Sequence, residues 1–282
     1  MSSDAHHERI KREFRRQADS FAEPRSFFGS PEISEWIGGR LPLTTANAVL
    51  DLAGGAGHLS RALAPRAARF VVLDITPDQL EIGREAAARE GIDNVEFVAG
   101  DAAATPFGDG EFDLVINRFA LHHMTDPAAV VTEAGRVCRA GGHVALIDLV
   151  SPEGGLGRIY NELERLRDPS HTRGLLPSEL DGLAAGVGTI VAADDRDHEL
   201  LVEDWMERAR TPDSARREIR TRLRAELDGG EPTGMRPRES PDGLHFTQSW
   251  RLLLARVIAV PNAGISAGDD HHGRGRSGRG GP

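Results

Sequence analysis

The sequence is poor in cysteine and in long apolar runs, and each shortage excludes a class of protein. Cys138 is the only cysteine among 282 residues, so no internal disulfide can form, which suits a reducing compartment. No apolar run approaches the roughly 20 residues that a membrane-spanning helix needs. The N-terminus is polar and carries no recognisable secretory signal. We therefore expect a cytoplasmic protein with no membrane partner.

Net positive charge is also lacking, which argues against a nucleic-acid partner. Asp and Glu number 44 against 34 Lys and Arg, a formal net charge of -10. Phosphate backbones repel such a chain, and its Arg-rich tail alone would bind a polyanion only weakly. No Cys/His cluster has zinc-ligand spacing, so no metal is expected. We expect a monomer or a homodimer.

From residue 47, short apolar runs alternate with helical patterns. The apolar runs predict strands at 47–53, 69–75, 94–100, 112–118 and 143–150, with helices between them at 58–66, 77–91 and 127–142. Near-continuous apolar strands that alternate with helices predict a doubly wound, mostly parallel sheet covered by helices on both faces. Ligands of such sheets bind at the carboxyl ends of the strands, so we expect the chemistry in the loops that follow them.

The remaining sequence indicates additions to this sheet. Ile10, Phe14, Ala18 and Phe21 recur at helical spacing. A strand is expected near 189–192, and the period of 244–260 fits either a late strand or a helix. The expected segments are an N-terminal helical lid (1–45), a ligand-binding core (46–150), a substrate-side helical insert with the final strands (151–260) and a disordered Gly/Arg-rich tail (261–282).

A glycine-rich turn follows the first predicted strand. Gly54, Gly55 and Gly57 allow positive φ and close approach of the backbone to a ligand, although they could also serve only to make a tight turn. A dinucleotide turn needs a third glycine where Ser60 stands, and Asp51 before the turn would repel a pyrophosphate. That acid would instead attract a ligand that carries ammonium and sulfonium charges.

The segment DLAGGAGH resembles motif I, D/E-x-G-x-G-x-G, of the class I S-adenosylmethionine-dependent methyltransferases. Asp51 matches the acid, Gly55 and Gly57 match two of the glycines, and Ala53 replaces the first. The resemblance covers about 47–150, and the HHM segment after the fourth strand is most similar to the small-molecule (type-11) branch of ubiquinone/menaquinone C-methyltransferases. It implies a seven-stranded Rossmann-like sheet, S-adenosyl-L-methionine as cofactor and a small-molecule methyl acceptor.

The resemblance also assigns cofactor contacts to the strand ends. Asp74 would accept hydrogen bonds from the ribose hydroxyls, although nicotinamide folds place an acid there too and aspartate also caps helices. Asp101 would meet the adenine amino group, unless it serves only its turn. The implied contacts are Asp51, Ala53, Gly54, Gly55, Gly57, Asp74, Ile75, Gln79, Asp101, Ala102, Asn117, Arg118 and His122.

Histidines are the candidates for proton transfer, which methyl transfer needs only if the acceptor must lose a proton. His122 and His123 are adjacent and point in different directions, so we expect one of them to face the pocket, with a structural role for both as the alternative. His171, in the insert, is a further catalytic candidate or else an exposed loop residue. The expected substrate contacts are Phe21, Asp148 and His171.

The sequence therefore predicts a methyltransferase that acts on an O, N or C atom of a small molecule. The sizeable insert favours specialised metabolism. A non-methylating cyclase that keeps S-adenosylmethionine as a cationic prop would make the same cofactor contacts and stays open. A nicotinamide-dependent oxidoreductase is a weaker alternative, because Ser60 and Asp51 argue against it.

Overall fold

The structure is a computed structural model that describes residues 3–17 and 29–258. Its strands are β1 (Ala48–Leu52), β2 (Arg69–Asp74), β3 (Val95–Ala99), β4 (Phe112–Arg118), β5 (Cys138–Leu149), β6 (Gly188–Leu201), β7 (Arg238–Ser240) and β8 (Gly243–Val257). They form one sheet in the order β3-β2-β1-β4-β5-β8-β6, and β7 pairs with β8. Strands β1 to β5 pair in parallel, whereas β8 runs antiparallel to β5, β6 and β7.

Helices cover both faces of this sheet. They are α1 (Ser3–Arg16), α2 (Pro31–Gly38), α3 (His58–Leu63), α4 (Pro77–Glu90), α5 (Pro127–Val137), α6 (Leu156–Arg167), α7 (Pro177–Val187), α8 (Val202–Arg208) and α9 (Asp213–Leu227), with 3-10 turns at Ala64–Arg66 and Leu121–His123. One apolar core includes side chains of α2, α3, α6, α8 and α9, and a second includes those of α5 and α7. The predicted doubly wound α/β fold is confirmed.

The parallel strands are apolar along their length because both of their faces are buried. Val49, Leu50, Val115 and Val144 are all fully inaccessible to solvent. Burial of side chains of this size contributes about 1.5–3 kcal/mol each. The alternation of polar and apolar residues that marks a half-exposed strand is therefore missing from the centre of the sheet.

The chain changes direction across the sheet at β1, which pairs with both β2 and β4. Loops that follow β1 and β4 diverge at such a point and leave a crevice at the carboxyl edge of the sheet. Helix α1 lies over this edge. His6 Nε2 donates a 2.7 Å hydrogen bond to the carbonyl of His123, and Arg15 donates a 2.7 Å hydrogen bond to Asp78 at the start of α4.

Some predicted elements differ from the structure. Over the described residues the sheet has eight strands rather than seven, because the short β7 forms a hairpin with β8. The predicted helix at 127–142 ends at Val137, where β5 begins. The strand expected near 189–192 extends over 14 residues, and 243–257, which includes most of the ambiguous segment, is a strand of 15 residues. Phe21 and the tail at 261–282 lie outside the described residues.

The antiparallel edge explains why β6 was predicted too short. Between its buried ends, the side chains of β6 alternate between exposed and half-buried, and they include charged residues that hydropathy assigns to a loop. Pairing with β8 over nearly the whole strand holds this segment extended. Over the described part of the chain, no helix combines the length and the apolar character needed to cross a membrane.

Candidate cofactor and substrate site

The turn between β1 and α3 forms one wall of a cavity at the carboxyl edge of the sheet. Ala53, Gly55 and Gly57 have φ values of 58°, 56° and 65°, a conformation that costs residues with a side chain about 1–2 kcal/mol. A Cβ atom added to Gly54 would lie 2.6 Å from Cγ of Asp51. The turn therefore needs glycine for space and for backbone geometry. Ala53, Gly54 and Gly55 line the cavity, and Gly57 closes the turn behind them.

Asp51 lies beneath this turn rather than on the cavity wall. It is 2% exposed, and it accepts a 2.6 Å hydrogen bond from Ser60 Oγ. Burial raises the pKa of Asp51, while Ser60 and the charge of Arg118 act in the opposite direction. The serine that takes the place of a dinucleotide glycine thus holds the acid in position. A direct contact between Asp51 and a ligand stays a prediction.

Asp74 connects the end of β2 to the glycine turn. Its two carboxylate oxygens accept 2.8 Å hydrogen bonds from the backbone N–H groups of Gly55 and Thr76. Burial raises the pKa of Asp74, and these hydrogen bonds oppose that effect. Helix α4 takes Thr76 as its N-cap residue rather than Asp74. Asp74 and Ile75 both line the cavity, and the carboxylate keeps lone pairs for further donors.

Two buried amide oxygens have no hydrogen-bond partner among the residues that the structure describes. Gln79 donates from Nε2 to the carbonyl of Phe14 in α1 (3.3 Å), which leaves its Oε1 unpaired. Asn117 donates from Nδ2 to the carbonyl of Leu52 (2.8 Å), which ties β4 to β1 and leaves its Oδ1 unpaired. Buried polar atoms without partners are rare in native structures. Neither residue lines the cavity, so their direct contact with the cofactor stays a prediction.

The end of β3 supplies the next part of the wall, and Asp101, Ala102 and Arg118 all line the cavity. Asp101 Oδ1 accepts a 2.9 Å hydrogen bond from the N–H of Ala103, so this residue does stabilise its turn. Its other oxygen lies 3.9 Å from His7 Nε2 of α1. Burial lowers the pKa of Arg118, and the charge of Asp51 opposes that effect.

His122 and Asp148 form a buried pair where β4 and β5 end. His122 Nδ1 donates to Asp148 Oδ1 at 2.5 Å, and the His122 backbone N–H donates to Oδ2 at 3.0 Å. The N–H of Leu149 also donates to Oδ1, at 2.7 Å. Burial by itself would lower the pKa of His122, but the charge and hydrogen bond of Asp148, together with the charges of Glu164 and Asp168, outweigh it and raise the pKa.

The two nitrogens of His122 have different surroundings. Nδ1 is committed to Asp148, whereas Nε2 makes no hydrogen bond within the described ranges. His122 lines the cavity, and Asp148 lies behind it. Asp148 is thus placed to orient the imidazole rather than to contact a substrate. The imidazole is placed to exchange a proton with a bound molecule through Nε2.

The other two candidate histidines differ from His122. His123 lines the cavity, donates from Nδ1 to Ser170 Oγ (3.1 Å) and meets the Phe14 ring edge-on at 5.2 Å. Burial and the neighbouring His122 lower the pKa of His123 to about 3, so it stays neutral. His171 donates from Nε2 to Asn161 Oδ1 at 2.8 Å. It is buried behind His122 rather than exposed in a loop, with its ring centroid 5.5 Å from that of His122.

Sequence reasoning missed the far end of the cavity. Its wall comes from α1, α6, α8 and the sheet, and the residues concerned are His7, Ile10, Phe14, Gln17, Arg167, Asp168, Leu200, Trp205, Arg208 and Gln248. The helical spacing of Ile10 and Phe14 was the one available signal. Arg167 and Arg208 are the last residues of their helices, where basic residues are common. No sequence motif distinguishes them from the other arginines. Within the residues described, no group of three or more His, Cys, Asp or Glu is arranged to hold a metal ion.

Comparison with known proteins identifies the class to which this fold and cavity belong. The family described as "Methyltransferase domain" matches residues 49–142. The uncharacterised methyltransferase YcgJ of Bacillus subtilis is 33% identical over 188 residues, which are 66% of this chain and 74% of that protein. The crystal structure of the same YcgJ protein superposes with a TM-score of 0.74 at 26% identity, over 82% of this chain and 100% of that chain.

Two further relatives are similar over less of their sequence or only in fold. The ubiquinone/menaquinone biosynthesis C-methyltransferase UbiE of a Marinomonas species is 34% identical over 121 residues, which are 41% of this chain and 48% of that protein. The crystal structure of the [4+2]-cyclase SpnF has a TM-score of 0.60 at 17% identity over 81% of this chain and 82% of that chain, a likeness of fold alone.

The chain belongs to the S-adenosylmethionine-dependent methyltransferase family. Its cofactor is therefore S-adenosyl-L-methionine, as predicted, and the nicotinamide alternative is set aside. The cavity fits this group in three respects that the structure records. A glycine turn opens the backbone to the cavity, a carboxylate at the end of β2 keeps free lone pairs, and two buried amide oxygens stand unpaired nearby.

Proposed function

We propose that the chain transfers the methyl group of S-adenosylmethionine to an O, N or C atom of a small molecule that binds beside His122. One observation carries this proposal. The glycine turn and the imidazole of His122 line the same cavity, and the imidazole is paired with a buried carboxylate. The turn proposed to hold the cofactor and the imidazole proposed as the base therefore face one cavity, in which the methyl group can pass from the cofactor to the acceptor.

The cofactor supplies a methyl group that its sulfonium makes electrophilic, so the protein has to provide position and a place for a proton. In this proposal Asp74 holds the ribose hydroxyls, and Ala102 with Asp101 borders the adenine. Ala53 and Gly55 present backbone to the amino-acid end. His122 accepts the acceptor's proton at Nε2, while Asp148 fixes the ring and stabilises the imidazolium that forms.

The electrostatics favour His122 over its neighbours as the base. Asp148 raises the pKa of His122, which makes the imidazole a stronger base once it is neutral. The pKa of His123 falls to about 3, so His123 does not take up a second proton near neutral pH. Burial also lowers the pKa of His171. Of these three histidines, His122 is the one whose pKa is raised rather than lowered, so it takes up a proton most readily.

The enclosure of the cavity supports a small acceptor. Helix α1 places His7, Ile10 and Phe14 along the wall, and Gln17 follows the helix there. The helix is bonded to the histidine end of the site through His6 and His123, and to α4 through the carbonyl of Phe14, which accepts from Gln79 Nε2 (3.3 Å). A helical cover of this kind excludes water from a reacting centre. A polymer would have to displace it. Biosynthesis of a specialised metabolite in the cytoplasm, with 1–45 acting as the lid, belongs to the same proposal.

A screen of candidate small-molecule acceptors with methyl-labelled S-adenosylmethionine tests this function. The expected result is a labelled product, with S-adenosylhomocysteine formed in equal amount. His122→Ala should lower kcat by about 10²–10⁴-fold, the usual contribution of a general base, and should affect S-adenosylhomocysteine affinity much less. His143→Ala is a matched control, because His143 lies far from the carboxyl end of β5 and should not affect turnover.

Two outcomes would change the proposal. Full turnover in His122→Ala would mean that positioning alone carries the reaction. Conversion of an acceptor without any transfer of label, while S-adenosylmethionine remains bound and intact, would replace methyl transfer with the cyclase alternative.

A further inference from the structure

The cavity continues past His122 to an end that the methyl-transfer chemistry does not use. Arg167 is the last residue of α6, and Arg208 is the last residue of α8. Both line this end together with Leu200, Trp205 and Gln248. A guanidinium carries a permanent positive charge and planar N–H donors that match carboxylate and phosphate oxygens.

Arg167 is held in place through only part of its guanidinium group. Its Nε donates a 3.1 Å hydrogen bond to the carbonyl of Trp205, and the group lies over the Trp205 ring at 5.3 Å from the centroid. Nη1 is 3.9 Å from Glu164 Oε2, which is beyond hydrogen-bond distance. Across the described ranges, neither Nη group donates a hydrogen bond to the protein. The side chain is only 14% exposed.

The acidic groups at this end are already committed to other donors. Asp168 accepts hydrogen bonds from the Oγ and N–H of Ser170 (2.6 and 2.9 Å) and from Gln17 (3.2 Å). Glu164 accepts a 2.9 Å hydrogen bond from Gln248, and burial raises its pKa and so favours its neutral form. Neither carboxylate therefore satisfies the Nη groups of Arg167.

The two arginines repel each other across the cavity wall. Burial, followed by the nearby charge of Arg167, lowers the pKa of Arg208 to about 10. The same wall holds the carboxylate of Asp168, whose pKa burial would raise but the charges of His123 and Arg167 lower. Two guanidinium groups that destabilise one another therefore share one nearby carboxylate, which is itself hydrogen-bonded to Ser170 and Gln17. An anion would relieve that repulsion and supply acceptors to the N–H donors of Arg167.

We propose that the methyl acceptor carries an anionic oxygen group, a carboxylate or a phosphate, which Arg167 binds through its Nη atoms with Arg208 beside it. The uncharged part of the acceptor then lies against Leu200 and Trp205, and its nucleophilic atom reaches back toward His122. This proposal rests on the proposed function, because it names the class of molecule that the same site methylates.

The test uses the full chain saturated with S-adenosylhomocysteine, and three probes of similar shape: benzoate, phenyl phosphate and the neutral benzamide. Calorimetry or ligand-observed NMR should give at least one of the two anions an affinity roughly tenfold or more above that of benzamide. Arg167→Gln should reduce this preference to less than roughly threefold. Arg167→Lys keeps the positive charge but loses the planar pair of N–H donors. Its preference for the anions should lie between those of the wild type and Arg167→Gln.

Arg238→Gln is the matched control. Arg238 forms an exposed ion pair with Glu199 on the edge of the sheet, so the anion preference should persist when it is replaced. Unchanged S-adenosylhomocysteine affinity in Arg167→Gln will show that the variant is folded. If Arg167→Gln no longer binds S-adenosylhomocysteine, the test uses Arg167→Lys instead, whose preference for the anions over benzamide should be weaker than that of the wild type.

Absence of an anion preference in the wild-type complex, or a preference that survives Arg167→Gln, would overturn the inference. These outcomes differ from failure of the proposed function, in which S-adenosylhomocysteine itself would not bind or no acceptor would receive a labelled methyl group. Discrimination between carboxylate and phosphate follows from which of the two anions binds more tightly.

Discussion

Replacement of Asp148 by asparagine isolates the electrostatic role of the His122–Asp148 pair. The carboxylate accepts three hydrogen bonds, from Nδ1 and N–H of His122 and from the N–H of Leu149. Asparagine has nearly the same shape but offers a single acceptor oxygen and an NH₂ group that faces donors. Because Oδ1 accepts from both Nδ1 of His122 and the N–H of Leu149, an amide oxygen at that position keeps both bonds. The variant then loses the charge assistance of the bond to Nδ1, at a cost of about 1.5–3 kcal/mol, and the acceptor of the His122 N–H.

The variant should change the pH dependence of the reaction as well as its rate. In the wild type, Asp148 raises the pKa of His122 above its ordinary value of 6.5, so the rate should rise with pH through that raised value. Without the carboxylate, the largest influences that raise the pKa of His122 are lost and burial is less opposed, so the pKa falls and the rising limb moves to lower pH. The plateau should fall by about 10²-fold or more, the lower end of what a positioned base contributes.

The same contact predicts a pH dependence of stability. Because the folded state holds the His122 proton more tightly than the unfolded chain does, the pair stabilises the wild type fully below about pH 6.5. That advantage over Asp148→Asn should decrease as the pH rises through the raised pKa.

The assay compares kcat against pH in the wild type, in Asp148→Asn and in the exposed control Asp93→Asn. A loss of stability alone would lower the rate at every pH and leave the limb where it was. If kcat of the folded Asp148→Asn variant rises over the same pH range as in the wild type, the assignment of His122 as the base is refuted.

The other predictions concern the glycine turn. Asp74→Asn should weaken S-adenosylhomocysteine binding by about 1–3 kcal/mol, measured by calorimetry with Asp93→Asn as control, because one amide oxygen cannot serve Gly55, Thr76 and the ribose; equal affinity in the two variants would contradict this. Ala53→Gly should stabilise the chain by roughly 0.5–1 kcal/mol, since relief of about 1–2 kcal/mol of left-handed strain exceeds the flexibility cost of glycine. Chemical denaturation measures this change in the free energy of unfolding. A lower stability of Ala53→Gly would show that the packing of the Ala53 methyl group outweighs its backbone strain.

The parallel half of the fold was predictable because its signals are local. Each of the first five strands is a short apolar run that ends in a polar residue or a turn, and burial on both faces demands that pattern. The antiparallel half depends on partners distant in sequence. The charged stretch of β6 is extended because it pairs with β8, and no local pattern records that pairing.

The candidate site divides in the same way. The residues that follow β1, β2, β3 and β4 were predictable because strand order brings successive carboxyl ends to one edge. Arg167 and Arg208 come from helices far apart in the chain, and only tertiary packing places them on one wall. The partner of His122 was also hidden, because Asp148 was expected to contact the substrate, whereas the structure places it behind the imidazole.

The most direct test of the account is calorimetric titration of the purified chain with S-adenosylhomocysteine. We predict saturable binding at one site per chain, weakened by Asp74→Asn and unaffected by Asp93→Asn. Absence of binding heat at several temperatures, for this compound and for S-adenosylmethionine alike, would contradict the assignment of the glycine-turn cavity as the cofactor site.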